Sequence, residues 1–528
     1  MRKLGVFICL ISSLLSYGQD LTVGAVELNE GAYDGLTLFS PAGNTTTYLI
    51  NNCGQVMNTW ESAYSPGASV YLLNDGSIIR AGSKEGARLG EPGVGGIFER
   101  INWQGDVVWT WEYSNDTANA HHDFHVMPNG NLLFIAWELK TLEEAVEQGR
   151  DPSTLADDEL WPDHIVEIEP LPNNDAKIVW LWNSWDHLIQ DFDDTKPNYG
   201  VVADNPEKID INYRLTDGPD WLHFNSIHYS ETNDYIILST PFFNEIWIID
   251  HNTTTAEAKG EKGDILFRWG NPRAYQQGDT VDQKMFFQHT AEWIDDDLDY
   301  GGNIIVFNNG RDRTPVEFSS VDIINPFDTD GNFYLNNGVF GPQDLVTSYQ
   351  RPNPTDIFAS FISGAQILSN GNLLIDDGPK GTFWEVDFDD NVHWKYVNPV
   401  STATGIVSQG EVATGNLVFR ATKYASDHPA FSNLTSQTSY IELNPIPLES
   451  CEPLSVAEQK PVISFYPNPV ENFLTVNGSY TNIRLVDITG SEFDVKYIDN
   501  KNQIDLTALE SGLYHLIIDK EIFKIIKK

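Results

Sequence analysis

Positive charge is what this chain has least of. Lys and Arg total 32 against 76 Asp and Glu over 528 residues, a formal net charge of −44. Such a surface repels polyanions, so nucleic acid and anionic membranes are poor partners, and the excess carboxylate reads as a solvated exterior. Cysteine is nearly absent, with three residues. Cys9 lies inside an apolar run, which leaves Cys53 and Cys451 as the candidates for a bridge. No G-x-x-x-x-G-K stretch is present, so no glycine-rich loop of that kind cradles a nucleotide phosphate. The apolar run from Leu4 to Leu15 falls short of the roughly 20 residues a spanning helix needs. With Arg2 and Lys3 before it and Ser16-Tyr17-Gly18 after it, the run predicts a secretory signal peptide over residues 1–18 and a mature chain from Gln19.

Aromatic residues and turns are plentiful. Many of the tryptophans fall in W-x-W or W-x-Y pairs, which read most simply as packing positions. A unit recurs: an apolar strand, a turn, a second strand, a strand carrying Glu or Asp, then a strand ending in tryptophan. Copies run from VYLLNDGSIIRAG (70 on), FHVMPNGNLLFIAWE (124 on), NSIHYSETNDYIILS (225 on), HTAEWI (289 on), GAQILSNGNLLIDDG (364 on) and GEVATGNLVFRAT (410 on, continuing to SYIELNP at 439–445). Six units of four short strands predict an all-β fold, a six-bladed β-propeller over residues 19–452. TTYLINNCGQVMNTWES (46–62) has the form of a blade's outer strands without an inner half, and the sixth unit is short there. Together they would complete one blade and close the ring. Closure brings the ends together, so a Cys53–Cys451 disulfide is expected in an exported protein; two buried thiols are the alternative. Two insertions, 139–162 (Glu/Asp/Leu-rich, partly helical) and 186–219 (a long loop), would cover one mouth of the ring.

Three histidines occupy matching places. His122 lies in HHDFHVMPNGN, His223 in DWLHFNS and His289 in FFQHTAEW, each ahead of a turn-and-strand unit. A lone histidine is more often structural than catalytic, but three at equivalent repeat positions converge on a shared centre. A neutral imidazole is a competent nucleophile, and a second can exchange protons with a reacting oxygen. A zinc site on His122, His223 and His289 is the weaker reading. His125 and His228 follow strand alternation and read as structural. The acidic turns at 293–302 and 328–332 lack the full ligand spacing of a calcium loop and read as solvated.

After Cys451 the chain changes to alternating strands with a basic end. Tyr466-Pro467-Asn468-Pro469, the FLTV that follows, Gly490 and SGLYHLII (511–518) resemble the C-terminal sorting domain of the type IX secretion system. The resemblance implies a small β-sandwich over 464–528 after a linker at 453–463, delivery by that machinery across the outer membrane, and a secreted or cell-surface protein. An ordinary binding sandwich is the alternative.

The large domain resembles the arylsulfate sulfotransferase family through HHD (121–123), PNGN (128–131), WDHLIQD (185–191), DWLHFNS (220–226), NEIWIIDHNTTTAEA (244–258), RWGNPRAY (268–275), QHTAEW (288–293) and VFNNG (306–310). The resemblance implies a six-bladed propeller that moves a sulfuryl group from a phenolic sulfate ester to a phenol, with no nucleotide donor and no cofactor. It implies a transiently sulfated histidine, here His289, supported by His223 and His122. Asn225 and Asn308 would line the channel as donors, and His187 would join if its loop folds over the mouth. Sulfuryl transfer should share the loose, anionic transition state of phosphoryl transfer, which cationic donors stabilise. One departure matters: where the family places an arginine, this chain has Pro241 or Phe242. Arg311, Arg313 and Arg420 are the candidate replacements. Two other readings stay open: a non-catalytic surface propeller that binds a glycan or protein, and a sulfate-ester hydrolase on the same site.

Overall fold

The computed structural model describes residues 21–155, 157–214, 218–432, 434, 438–451, 464–477, 482–498, 502–518 and 521–528. The expected signal peptide and linker lie outside them. The chain divides into two compact units, one up to Ser450 and one from Cys451. Cys53 and Cys451 are both disulfide-bonded.

The first unit is all-β. Among its described residues, six antiparallel sheets of four or five strands follow one another along the chain. Each opens with an inner strand: Pro66–Leu72, Ala118–Val126, Ser226–Ser230, His289–Trp293, Gly364–Ile367 and Val418–Ala425. These strands touch in that order, and the last touches the first, so their contacts form a closed cycle. The second strands are almost wholly buried, as in Leu132–Glu138 and Ile304–Asn308. That is why LLFIAW and IIVFN are continuous apolar runs rather than alternating ones.

The sheet begun by Val418–Ala425 is completed from the N-terminus. It pairs with Gly35–Pro41, then Thr46–Asn51, then Val56–Glu61. The expected use of residues 46–62 as outer strands is what the pairing shows. Residues 439–445 differ from expectation: they form no strand, only isolated bridges through Tyr440 and Leu443. The second position, expected of LVFRAT, is filled by Gly35–Pro41, buried along its whole length, because LVFRAT belongs to the inner strand Val418–Ala425. Gly24–Leu28 adds an unforeseen fifth strand beside Val392–Val397.

The tryptophan pattern has a physical reason. Trp60, Trp109, Trp182, Trp269 and Trp394 stand on the fourth strands. Each indole N–H donates to a backbone carbonyl between the third and fourth strands of the following sheet: Asn102, Asp175, Gly263, Pro342 and Asn52, at 2.7–3.0 Å. Tyr349 takes this place in the remaining sheet, donating to the Asp390 carboxylate at 2.7 Å. A large apolar body with one polar tip suits a seam between layers.

The insertion at 139–162 carries the short helix Leu142–Glu147, started by a capping box between Thr141 and Glu144. In the 186–219 loop, Leu188–Ile189 pairs with Ile209–Asp210. Buried Arg268, paired with Glu245, donates to the carbonyls of Pro206 and Lys208 and pins this loop to the third sheet. Among its described residues the second unit holds two four-stranded antiparallel sheets around Leu474, Val476, Leu485, Ile504, Leu516 and Ile525.

Candidate active site

The inner strands enter the centre with strained backbone. His122 (φ 51°), His223 (57°), Phe287 (61°), Thr290 (50°), Ile362 (46°) and Ser363 (89°) all lie in the left-handed region, which costs a non-glycine residue about 1–3 kcal/mol. Two bulges share in this. Phe134 pairs with Phe124 but Ala136 pairs with Ala120, so His121, His122 and Asp123 stand against Ile135 alone. Likewise His289 pairs with Phe307 and Ala291 with Val306, leaving Thr290 out. Bulges re-aim side chains, and here they let consecutive residues contribute to one centre. Gly93 is required beside His122: it has φ +92°, and a Cβ there would stand 2.0 Å from the imidazole Cε1.

His122, His223 and His289 are each tied down through Nδ1. His122 Nδ1 meets His121 Nδ1 at 2.8 Å, and His121 Nε2 meets Asp163 Oδ1 at 2.6 Å. His121 lies flat on Trp137, with ring centres 3.9 Å apart. The Trp137 indole donates to Asp220, whose other oxygen binds His223 Nδ1. The His122 and His223 rings meet edge to face at 4.5 Å. Burial, then the charge of His223, holds His121 and His122 well below the ordinary histidine range. Burial and the neighbouring Asp220 hold Asp163 well above the carboxylate range.

His289 is positioned by Asn309. Its Nδ1 faces Asn309 Oδ1 at 2.8 Å and the Phe287 carbonyl at 3.1 Å, both acceptors, so Nδ1 carries the proton. Nε2 accepts the Ile362 N–H at 3.1 Å. The Asn309 amide donates to the carbonyls of Ala359 and Ile362, tying the strap 359–363 to the same side chain. Burial pushes His289 down to about 3, so the ring is neutral across the physiological range.

Aromatic rings link the histidines. His223 stacks on Phe242 at 4.5 Å, Phe242 meets Phe287 at 5.7 Å, and Phe287 meets His289 at 6.3 Å. Each phenylalanine lies under a guanidinium, Arg214 at 3.7 Å over Phe242 and Arg311 at 4.5 Å over Phe287. Pro241 and Phe242, where the family resemblance implies an arginine, lie in the turn after the strand Tyr235–Thr240, and Arg214 reaches the Phe242 ring from the 186–219 loop.

Other expected residues are placed differently. His187 is buried on Trp182, bound to Asp264, and does not join the three imidazoles; its loop folds against the third sheet. Asn308 is fully used within its sheet, accepting from Phe286 N–H and donating to the Lys284 carbonyl and Asp322. Arg313 packs on Phe286 and Phe318 and donates to Ser320. Arg420 forms a two-toothed ion pair with Asp123, with Glu292 at 3.7 Å. Asn225 donates to the Gln288 carbonyl, and its buried Oδ1 has no hydrogen-bond partner. His121, Asp163, Asp220, Asn309 and Arg214 escaped the sequence reading. The first four are neighbours within the HHD, DWLH and VFNNG motifs or their partner strands. Arg214 carried no motif.

A cavity of about 320 Å³ lies elsewhere, lined by His125, His228, Tyr229, Trp293 and Asp295. His125 is three residues beyond His122, about 10 Å along the strand, so the cavity sits toward the other end of the same inner strands. Among the described residues, no three His, Cys, Asp or Glu side chains are grouped to hold a metal ion.

Residues 29–427 match the model of the arylsulfotransferase family, and residues 464–528 match that of the secretion system C-terminal sorting domain. None of the curated proteins matches the chain. Similar solved structures include a protein of unknown function from Bacteroides caccae (11% identity, 74% of this chain and 98% of that one, TM-score 0.42). They also include a catalytically inactive virginiamycin B lyase from Staphylococcus aureus (11%, 73% and 87%, 0.34) and the β-propeller domain of Cps50 (Swd1) from Myceliophteria thermophila (10%, 92% and 98%, 0.34). The sorting domain marks the protein for export to the cell surface or beyond. Among the described residues no helix is long and apolar enough to cross a membrane.

Proposed function

The chain belongs to the arylsulfotransferase family, and from that premise we propose that its three imidazoles move a sulfuryl group from a phenolic sulfate ester to a phenol. His289 Nε2 attacks sulfur, the S–O bond to the donor's aryl oxygen breaks, and a sulfo-histidine forms. His122 gives the departing phenolate a proton and takes one from the incoming phenol, which then attacks sulfur and releases His289. His223, braced by Asp220, supports the pair and donates to the sulfuryl oxygens, and the Arg214 and Arg311 guanidiniums supply the positive field an anionic donor needs. The Phe242–Phe287 rim suits an aryl group. The single observation that carries this reading is the neutral His289, whose Nδ1–H is held by Asn309 so that the lone pair lies on Nε2, where it accepts the Ile362 N–H that the sulfur must displace.

In this reading the six sheets are the blades of a six-bladed propeller, supported by the closed cycle of inner-strand contacts and the six aromatic locks. The second unit is a β-sandwich, with a signal peptide over 1–18, the propeller over 19–452 and the sorting domain over 464–528. The type IX machinery is its partner. The test is 4-nitrophenolate release from 4-nitrophenyl sulfate by the exported full chain, with and without phenol. Release that requires phenol and disappears in His289→Ala supports transfer. Release without phenol makes the protein a hydrolase. No release from a folded chain makes it a binding propeller.

A further inference from the structure

We propose that Asp163 and His121 form a proton relay behind His122, so that the proton exchanged with the phenolic oxygen comes to rest on the Asp163 carboxylate. The inference rests on the sulfuryl-transfer reading. The geometry is a continuous row: His122 Nε2, then His122 Nδ1 against His121 Nδ1 at 2.8 Å, then His121 Nε2 against Asp163 Oδ1 at 2.6 Å. Two Nδ1 atoms at that distance share one proton, so the state of each ring dictates that of the other. The His121 and Asp163 side chains are fully buried. His121 is held flat on Trp137, and Asp163 Oδ2 accepts the Phe224 N–H at 3.3 Å. Neither member of the row can turn away.

The row solves an electrostatic problem. A buried imidazole that takes a proton directly becomes a buried cation, which desolvation opposes. When His122 Nε2 takes a proton from the acceptor phenol, His122 Nδ1 passes its own to His121 Nδ1. His121 Nε2 then passes its proton to Asp163. Both imidazoles end neutral with their protons moved across the ring, and the carboxylate ends as a carboxylic acid. The only charge lost is a buried negative one. In the donor half-reaction the row runs backwards: His122 Nε2–H goes to the departing phenolate and Asp163 becomes a carboxylate again. The burial that disfavours protonated His121 and His122 and favours protonated Asp163 acts in the same direction at all three groups.

The relay acts through His122, so its loss should be felt only where a proton is needed. The experiment compares 4-nitrophenyl sulfate, whose leaving group departs as a stable anion, with phenyl sulfate, whose leaving group must be protonated. The exported full chain is used as wild type, Asp163→Asn and His121→Phe. The phenylalanine keeps the stack on Trp137 but cannot carry a proton. Release is followed in a single turnover without acceptor, which isolates the donor half-reaction, and in both variants the rate on phenyl sulfate relative to that on 4-nitrophenyl sulfate is expected to fall by at least about 100-fold, the usual worth of general acid catalysis. Equal losses on both substrates, or no loss on either, overturn the relay. A readout without substrate separates this from the activity itself. The infrared carbonyl band of a protonated carboxylic acid at neutral pH should be present in the wild type and diminished in Asp163→Asn. An unchanged band overturns the relay whether or not any ester is turned over, whereas a wild type that never releases 4-nitrophenolate overturns the transfer reading.

Discussion

Burial sets the chemistry of His289. The ring is 2% exposed, and that burial pushes it down to about 3 from the 6.5 of a free histidine. Between these values the unfolded chain binds a proton that the folded chain refuses. The ring's contribution to stability is therefore whole above pH 6.5 and is lost as pH falls toward 3. Replacing His289 by Gln removes that dependence. The stability advantage of wild type over His289→Gln, measured by urea unfolding, should shrink by on the order of 2 kcal/mol between pH 7 and pH 5. A difference that stays constant would mean the folded ring takes up its proton normally. His289 was legible in the sequence because it stands at a repeat position; its protonation was not, because no motif encodes how much protein surrounds a ring. Arg214 shows the same limit. A guanidinium that reaches Phe242 from a distant loop leaves no local pattern.

The strap 359–363 is the element that most directly governs access to His289 Nε2. Ile362 caps Nε2 from a left-handed conformation that a β-branched residue rarely adopts, and Asn309 holds the strap through two carbonyls. Asn309→Ala removes three hydrogen bonds of about 1 kcal/mol each, two to the strap and one from His289 Nδ1. Acylation of His289 by diethyl pyrocarbonate, followed by mass spectrometry, should accelerate about tenfold or more. Equal acceleration at His122 and His223 would indicate general loosening instead. The bulges at His121–Asp123 and Thr290 belong to this scale too. The strands were legible from their apolar runs. The extra residue in each was not, because a bulge is defined by its partner strand.

Five of the six inner strands are fastened to one ion pair. Arg420 on the last inner strand grips Asp123 on the second. Ser69 on the first inner strand and the Ile227 N–H on the third also bind Asp123, while Tyr71 and Glu292 flank Arg420. Five inner strands thus meet at one buried charge pair, and Gln366 on the remaining one exchanges two hydrogen bonds with the Lys423 backbone. Asp123→Ala leaves the buried Arg420 charge with only the more distant Glu292 and should lower stability by about 3 kcal/mol in urea unfolding. Asp123→Leu with Arg420→Met should cost less than the sum of the single changes. Full additivity would show that the two groups do not act as a pair. The sequence offered Arg420 as a substrate donor; only assembly of the ring reveals that its charge is already spent on Asp123.

Composition and repeat by themselves pointed to an all-β chain of repeated four-stranded units completed by N-terminal strands, and the resemblance of residues 464–528 added the sorting domain and the export it implies. Those features are written in local patterns: apolar runs, turn residues and the aromatic at each unit's end, now seen as the donor to the next sheet. The same patterns singled out His122, His223 and His289. Tertiary structure alone decided what each histidine can do, because that depends on partners far away in sequence: Asp163 for His121, Asp220 for His223, Asn309 and Ile362 for His289. It also withdrew His187, Asn308, Arg313 and Arg420 from the candidate site by showing their hydrogen bonds and charges engaged elsewhere. A strand's periodicity is set by its own residues, whereas a proton's position is set by whatever the fold brings within about 3 Å.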